Sequence, residues 1–303
     1  MSWTPTLRQL EYVVSVADVG AFGRAARACA VSQPALSKQV KEVEEGLGVV
    51  LFERGARGAT STPAGREIVA RARRILADAR ELTDAAAALT EPLAGVVRLG
   101  AIPTIAPFVL PELLDAVREH LPRIELRLVE EQTVDLGDRL LRGDLDVAVV
   151  ALPYPRAGVA VRGLYDEPLL LVTPTDHPLA GTRPLLRSEL IGHPLLLLRQ
   201  GHCLRDHTLA ACAANQETNA AVEASSLGTL LLMVRHGLGA ALVPAMALPE
   251  DRSGLCVRRF AAPEPVRGVG LWWRPSSPRA ALFERLGAFL RESAPGRPAK
   301  SDG

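Results

Sequence analysis

The chain has 303 residues, with 35 Lys plus Arg against 34 Asp plus Glu and a formal net charge of +1. Its 48% hydrophobic content excludes a disordered protein, and a 4% aromatic content leaves the cores to Leu, Val and Ala. No apolar run approaches the about eighteen residues needed to span a bilayer, and no cationic leader precedes an apolar stretch, so a soluble cytoplasmic protein is expected. Four cysteines are too few for a disulfide scaffold; in a reducing compartment any disulfide among them is a signal rather than a staple.

Residues 4–17 place Leu7, Leu10, Val13, Val14 and Ala17 on one helical face. Phe22, Ala25, Ala26 and Cys29 share a face of a second, shorter helix that breaks near Ala30–Val31. Ser32 then caps a third helix, with Pro34 in the first turn, where its missing N–H costs nothing. Leu36, Val40, Val43 and Leu47 turn inward, while Gln33, Ser37, Lys38 and Lys41 face outward. Two short crossed helices, the second presenting polar groups able to meet base edges and phosphates, describe a helix-turn-helix. Charge agrees with that use: residues 1–74 hold eleven cations and seven acids, 11 − 7 = +4, on a chain whose total is +1. Residues 52–62, FERGARGATST, read as a hairpin wing whose Arg54 and Arg57 reach phosphates or a minor groove. The expected DNA-contacting set is Ser32, Gln33, Pro34, Ser37, Lys38, Lys41, Arg54 and Arg57.

Thr62 and Pro63 open a long helix. Ile68, Ala72, Ile75, Ala79, Leu82, Ala86 and Leu89 alternate four and three apart, a heptad seam expected to pair with a second copy. Arg71, Arg73 and Arg74 are expected on its solvent face. Pro92 and Gly95 end the helix. Strand patterns at 96–103, 124–131 and 145–152, separated by helices at 108–122 and from Val134, predict a parallel sheet covered on both sides. A second unit starts at 169–174 and continues through 195–198, helices at 203–214 and 226–236, and 240–243. Residues 268–275 then return as a strand to the first unit, before a closing helix at 281–293. The expected domains are a winged helix-turn-helix at 1–61, a linker and dimerisation helix at 62–91, and a two-lobed α/β sensor at 92–293. Lobe I takes 92–164 and 267–293, lobe II takes 165–266, and 294–303 form a disordered tail.

The stretch GHCLRDHTLAAC, residues 201–212, carries the chemistry. Cys203 lies near the start of a helix, beside His202 and within a turn of Arg205 and Asp206, features that favour thiolate over thiol. A thiolate of this kind attacks a peroxide bond and becomes a sulfenic acid that a second thiol resolves. Cys212 is the candidate second thiol; its other reading is a core residue on the stripe Leu209, Cys212, Ala213. Nine helical residues separate the two by about 13.5 Å of rise, whereas a disulfide needs Cα atoms within about 7 Å. Forming the bond would therefore refold the segment. Cys29 reads as a core residue and Cys256 is unassigned.

The pair Ala25–Ala26, the run SQPALS at 32–37, Leu47–Gly48, LFER at 51–54 and TPAG at 62–65 resemble the signature of the LysR-type transcriptional regulators. Val43 and Ser61 depart from it mildly, away from the reading face. The resemblance implies a sensor of the type II periplasmic-binding-protein fold. GHCLRD with a second cysteine nine positions on is similar to the peroxide-sensing members of that family. So are the flanking runs around Thr104, Thr133, Asp166–Leu171, Ser226–Leu230 and Arg274–Pro278; Gly228 departs from an often acidic position. That likeness implies Cys203 as the peroxide-reacting and Cys212 as the resolving cysteine, with Thr104, Thr133, His202, Asp206 and Arg274 gathered around the peroxide. It implies a DNA-binding regulator rather than an enzyme, with no metal and no cofactor. The implied partners are double-stranded promoter DNA, a homodimer or homotetramer of itself, hydrogen peroxide as effector, RNA polymerase, and a thiol-disulfide reductant for reset. Three competitors remain: a regulator of the same family sensing a small metabolite, a thiol peroxidase, and a solute-binding protein.

Overall fold

A computed structural model describes residues 3–55, 58–211 and 223–292. It divides into two compact units, the first comprising residues 1–86 with 141–144 and the second the remainder. The first unit opens with α1 (Leu7–Val19), where Thr6 and Gln9 form a capping box and Gly20, in the left-handed region, ends the helix. After α2 (Phe22–Ala28), Ser32 caps α3 (Gln33–Leu47), accepting from the Ala35 N–H. Val13, Val16, Ala25, Ala26, Leu36, Val40 and Val43 form the shared core. Leu7 and Leu47, expected inside, are 49% and 38% exposed. Each lies at a helix end, where the packed stripe has run past its neighbours.

The wing is the hairpin of β1 (Phe52–Gly55) and β2 (Gly58–Ser61). The Glu44 carboxylate anchors its entry by accepting from the N–H groups of Leu51 (2.7 Å) and Phe52 (3.2 Å). A side chain at Gly58 would come within 2.3 Å of the Gly20 carbonyl, which itself accepts from Ala59 N–H. α4 (Pro63–Thr90) begins at a Thr62 cap. Val69, Ala72 and Leu76 of this helix are buried, with Ala72 and Leu76 packed on Leu10. Arg73, expected in solvent, pairs with Asp18 of α1.

The second unit contains β3 (Gly95–Ala101), α5 (Ala106–His120), β4 (Ile124–Glu130), α6 (Thr133–Arg142) and β5 (Val147–Leu152). β6 (Ala160–Pro174) follows, then β7 (Leu197–Leu198), α7 (Cys203–Ala211), β8 (Glu223–Ala224), α8 (Leu227–Arg235), β9 (Ala241–Pro244), β10 (Leu255–Arg258), β11 (Val266–Trp273) and α9 (Ala280–Glu292). β3 pairs in parallel with β4 and β5, as expected. The sheet as a whole is mixed, in the order β10-β6-β11-β5-β3-β4 with β9 on β6, because β11 runs antiparallel to both β5 and β6. β6 is longer than expected. Its first half pairs with β11 and its second half with β9 and β10, so this strand belongs to both lobes. Its opening residues, Ala160–Asp166, are exposed or half-buried and carry no continuous apolar signal.

Lobe I closes over Leu99, Leu113, Val147, Val149, Trp272 and Phe283. Lobe II holds two apolar clusters, one around Leu169, Leu230 and Val243 and one around Leu171, Leu185 and Leu242. Arg279 ties the start of α9 to the carbonyls of Val96 (2.6 Å) and Ala94 (3.0 Å). Among the described residues, no helix is long and apolar enough to cross a membrane.

Replacing Glu44 by Ala removes the acceptor for two N–H groups at the wing entry and is expected to cost about 1–3 kcal/mol. Glu44→Gln, which keeps an oxygen there, is expected to lose less. Urea unfolding of both variants beside the parent measures this, and equal stability of the Ala variant would refute the anchoring role.

Candidate functional site

Cys203 begins α7 and is 5% exposed. His202 and Leu204 beside it are also buried, at 7% and 1%. Thr133, the first residue of α6, is 2% exposed, and its hydroxyl has no partner of good hydrogen-bonding geometry. It lies near enough to the Cys203 sulfur to favour the thiolate. Thr104, ahead of α5, is also 2% exposed. Cys203, Thr133, Thr104 and His202 are thus all buried in the second unit, with Thr133 next to the Cys203 sulfur. Asp206 is exposed on the same helix, and Arg205 turns away to the Leu198 carbonyl and the Glu223 carboxylate.

The cation of this cluster is Arg267 rather than Arg274. Arg274 is buried but donates to the carbonyls of Leu140 and Leu145, both at 2.8 Å, and so braces the end of α6. Arg267, on β11, has no exposure. Its Nε donates to Glu167 Oε2 at 2.8 Å, and its two terminal nitrogens donate to the Thr104 hydroxyl (3.1 Å) and carbonyl (3.0 Å). Glu167, on β6 and equally buried, accepts in addition from the Met246 N–H at 2.7 Å. The sequence does carry a signal for both: Arg267 interrupts an apolar run, and Glu167 heads the apolar stretch Pro168–Val172. A charge inside a buried strand calls for an opposite one.

Electrostatics at Cys203 differ from the expectation. Burial pushes the thiol above its ordinary value, and this outweighs Arg267 and Thr133, which draw it down; Asp206 adds to the upward push. At rest the group is therefore held towards the thiol, with a cation and a hydroxyl placed to favour its ionised form. His207, one turn along α7, carries no signal in the sequence, because nothing in its spacing separates it from a solvated helix position. Its Nε2 lies 3.2 Å from the Leu152 carbonyl. Burial first, and Arg267 second, lower its pKa; burial and then Arg199 lower that of His202.

The remaining expected residues fall as follows. Ser32, Gln33, Pro34, Lys38 and Lys41 are exposed and Ser37 is half-buried. Lys38 and Lys41 pair with Glu42 (4.0 Å) and Glu45 (3.4 Å), contacts that solvent screens and DNA phosphates could displace. Arg54 lies on β1, and Arg57 and Cys212 lie outside the described residues. Along α4, Ile75, Leu82 and Leu89 are 46%, 73% and 88% exposed. Ala86 is exposed and Ile68 and Ala79 are half-buried. Ala72, 1% exposed, is packed within its own unit against Leu10 and Leu76 and is not open to a partner copy. Cys29 is half-buried against the first core, and Cys256 exchanges hydrogen bonds with the backbone of Gly181.

Arg267→Ala leaves Glu167 charged and buried alone and is expected to cost about 3–5 kcal/mol. The double variant Arg267→Met with Glu167→Gln is expected to recover part of the loss in chemical unfolding; an Ala variant as stable as the parent would contradict the pairing. His202 and His207 have folded-state pKa values below the ordinary about 6.5, so the unfolded chain takes up protons first as pH falls. Their contribution is full above that value and is lost as pH drops towards the folded values. Unfolding series at several pH values should show stability declining below neutrality, with a shallower decline in His207→Gln. An identical slope would remove His207 from the account.

Residues 7–66 match the family described as bacterial regulatory helix-turn-helix protein, lysR family, and residues 90–295 match the LysR substrate binding domain. The chain is 43% identical over 294 residues to a probable hydrogen peroxide-inducible genes activator of Streptomyces viridosporus, covering 95% of this chain and 94% of that protein. It is 38% identical over 290 residues to the DNA-binding transcriptional dual regulator OxyR of Escherichia coli strain K12, covering 94% of each. Among solved structures, a full-length cysteine variant of OxyR from Pseudomonas aeruginosa aligns with a TM-score of 0.79 at 38% identity, covering 97% of this chain and 100% of that one. A hydrogen peroxide-bound mutant of Corynebacterium glutamicum OxyR aligns with a TM-score of 0.66 at 38% identity, covering 97% and 94%. With both family models matched over most of its length and relatives this similar across nearly the whole of it, the chain belongs to the LysR family of bacterial regulatory helix-turn-helix proteins.

Proposed function

We propose that the chain is a transcription regulator whose second unit is oxidised by hydrogen peroxide at Cys203. The observation that carries this reading is the buried cluster itself. A thiol at a helix start adjoins a hydroxyl without a partner, Thr133, and a fully buried guanidinium, Arg267, that also holds Thr104. A buried hydroxyl beside the sulfur, without a partner of good geometry, suits a small molecule that both donates and accepts. In the step, Cys203 gives up its proton and the sulfur attacks one peroxide oxygen. The O–O bond breaks, and the departing hydroxide leaves as water once protonated. Arg267 stabilises the charge on sulfur at the start and on oxygen at the end. The sulfenic acid then condenses with the Cys212 thiol, releasing a second water and forming the disulfide.

α7 extends to Ala211, the residue before Cys212. Bond formation across nine residues is incompatible with that helix, since it asks for a Cα separation of about 7 Å or less. We place DNA contact on Ser32, Gln33, Pro34, Ser37, Lys38, Lys41, Arg54 and Arg57, and self-association on the exposed layers Ile75, Leu82 and Leu89 of α4. The assembly would be a dimer or tetramer on double-stranded promoter DNA. RNA polymerase would receive the output, and a thiol-disulfide reductant would reset the switch. The refolding of 203–212 would shift the sensor and, through the linker helices, the spacing of paired reading helices.

Mass mapping of cysteines before and after stoichiometric peroxide tests the redox step. Cys203→Ser is expected to lose both the disulfide and the peroxide-dependent change in DNA footprint. Cys212→Ser is expected to stop at a sulfenic acid that dimedone traps. An unaltered footprint response in Cys203→Ser would discard the reading in favour of a metabolite effector. For assembly, Ile75→Glu puts like charges across an apolar seam and is expected to yield monomers by sedimentation; a folded species of parental mass would assign the exposed layers to another partner.

A further inference from the structure

Cys203 retains only 5% exposure, yet the open space it meets is far larger than a peroxide molecule. It contributes to the wall of a cavity of about 480 Å³, together with Pro153, Tyr154, Ala210, Pro265 and Val266. A water molecule's share of liquid volume is about 30 Å³, whereas sites for small organic molecules span about 300–1,000 Å³. Hydrogen peroxide, with two oxygens, would occupy a corner of this space.

The lining is mixed: the Asp206 carboxylate is exposed along it and His207 Nδ1 has no hydrogen-bond partner, while other polar atoms of the wall are engaged elsewhere. Glu264 holds Arg259 through two hydrogen bonds of 3.0 and 2.8 Å. His207 is directed to the Leu152 carbonyl and Arg187 to the Pro263 carbonyl. Most of the wall's surface is nevertheless apolar, and Val266 is 50% exposed on it. A ligand matched to both parts has an apolar body for the Pro153, Pro265 and Val266 wall and a reactive O–O bond at the sulfur.

We propose that this cavity widens the effector class from hydrogen peroxide to organic hydroperoxides with a compact apolar substituent. The inference rests on Cys203 as the peroxide-reactive group. The sulfur attacks the oxygen that bears hydrogen, the O–O bond breaks, and the alkoxide leaves with a proton as the alcohol. Cys203 is oxidised to the sulfenic acid and the hydroperoxide is reduced by two electrons. The protein product is the one that hydrogen peroxide gives, so the later disulfide step is unchanged.

The test uses the reduced full-length chain, with cumene hydroperoxide or hydrogen peroxide at equal concentration, and reads the rate of dimedone-trappable oxidation at Cys203 by mass spectrometry. Ala210→Phe fills the cavity from an exposed helix position, and Val266→Phe does so from an exposed strand position should the first variant misfold. Each is expected to slow cumene hydroperoxide about tenfold, the scale on which filled hydrophobic pockets discriminate. Hydrogen peroxide, which leaves that wall untouched, is expected to keep its rate. Cumene hydroperoxide that leaves Cys203 intact while hydrogen peroxide oxidises it overturns the proposal, as does an equal effect of the variants on both oxidants. Failure of both oxidants to modify Cys203 overturns the parent reading and this one with it.

Discussion

The ion pair between Arg267 and Glu167 is the constraint around which the sensor is built. Both side chains are without exposure, and a charge taken so far from water must be matched by a partner and by further hydrogen bonds. Arg267 meets that demand through Glu167 and both oxygens of Thr104, and Glu167 through Arg267 and the Met246 N–H. The partners come from β6, β11, the entry to α5 and the turn after β9. Lobe I and lobe II are therefore fastened at the strands that cross between them. The same guanidinium reaches the Cys203 sulfur electrostatically and opposes the effect of its burial. One buried cation serves the register of two strands and the titration of a thiol.

Much of this architecture is legible in the sequence because local chemistry and periodicity agree. Ser32 and Thr62 cap the helices they precede, the three-to-four spacing of Leu36, Val40 and Val43 marks a buried face, and Val147–Ala151 reads as a strand covered on both sides. The failures have physical sources. Arg267 and Arg274 lie seven residues apart on one returning segment and both are buried, so composition does not say which meets the cysteine and which braces backbone carbonyls. The antiparallel sense of β11 depends on where a distant segment re-enters the sheet, a long-range pairing that no local pattern encodes. Ala72 fits a heptad by spacing, but Leu10 of α1 competes for it. In the same way, His202 and a helix start favour a thiolate on paper, while depth of burial, invisible along the chain, dominates the balance at Cys203.

That balance gives the cluster its character. A thiol lying in solvent beside cations would ionise readily and react with whatever reached it. Here low polarity suppresses ionisation, and Arg267 with Thr133 supplies stabilisation at the place where charge develops on sulfur. The surroundings of this sulfur are thus set by a geometry shared by four elements, α6, α7, β11 and the segment before α5.

The pairing of β11 with β6 shifts register between Val269 and Gly270. Gly270 sits where a side chain would come within 2.5 Å of Leu152 Cδ1 and 2.8 Å of the Arg162 carbonyl. The strand thus takes up its irregularity at one residue that cannot grow. Side chains on a strand alternate faces with a period of two, so losing or gaining one residue between Arg267 and Trp273 would turn Arg267 outward and strand Glu167 in the interior. Length is consequently an inherited quantity in this segment. Insertions and deletions that a surface loop absorbs at little cost would here leave a buried charge without its partner.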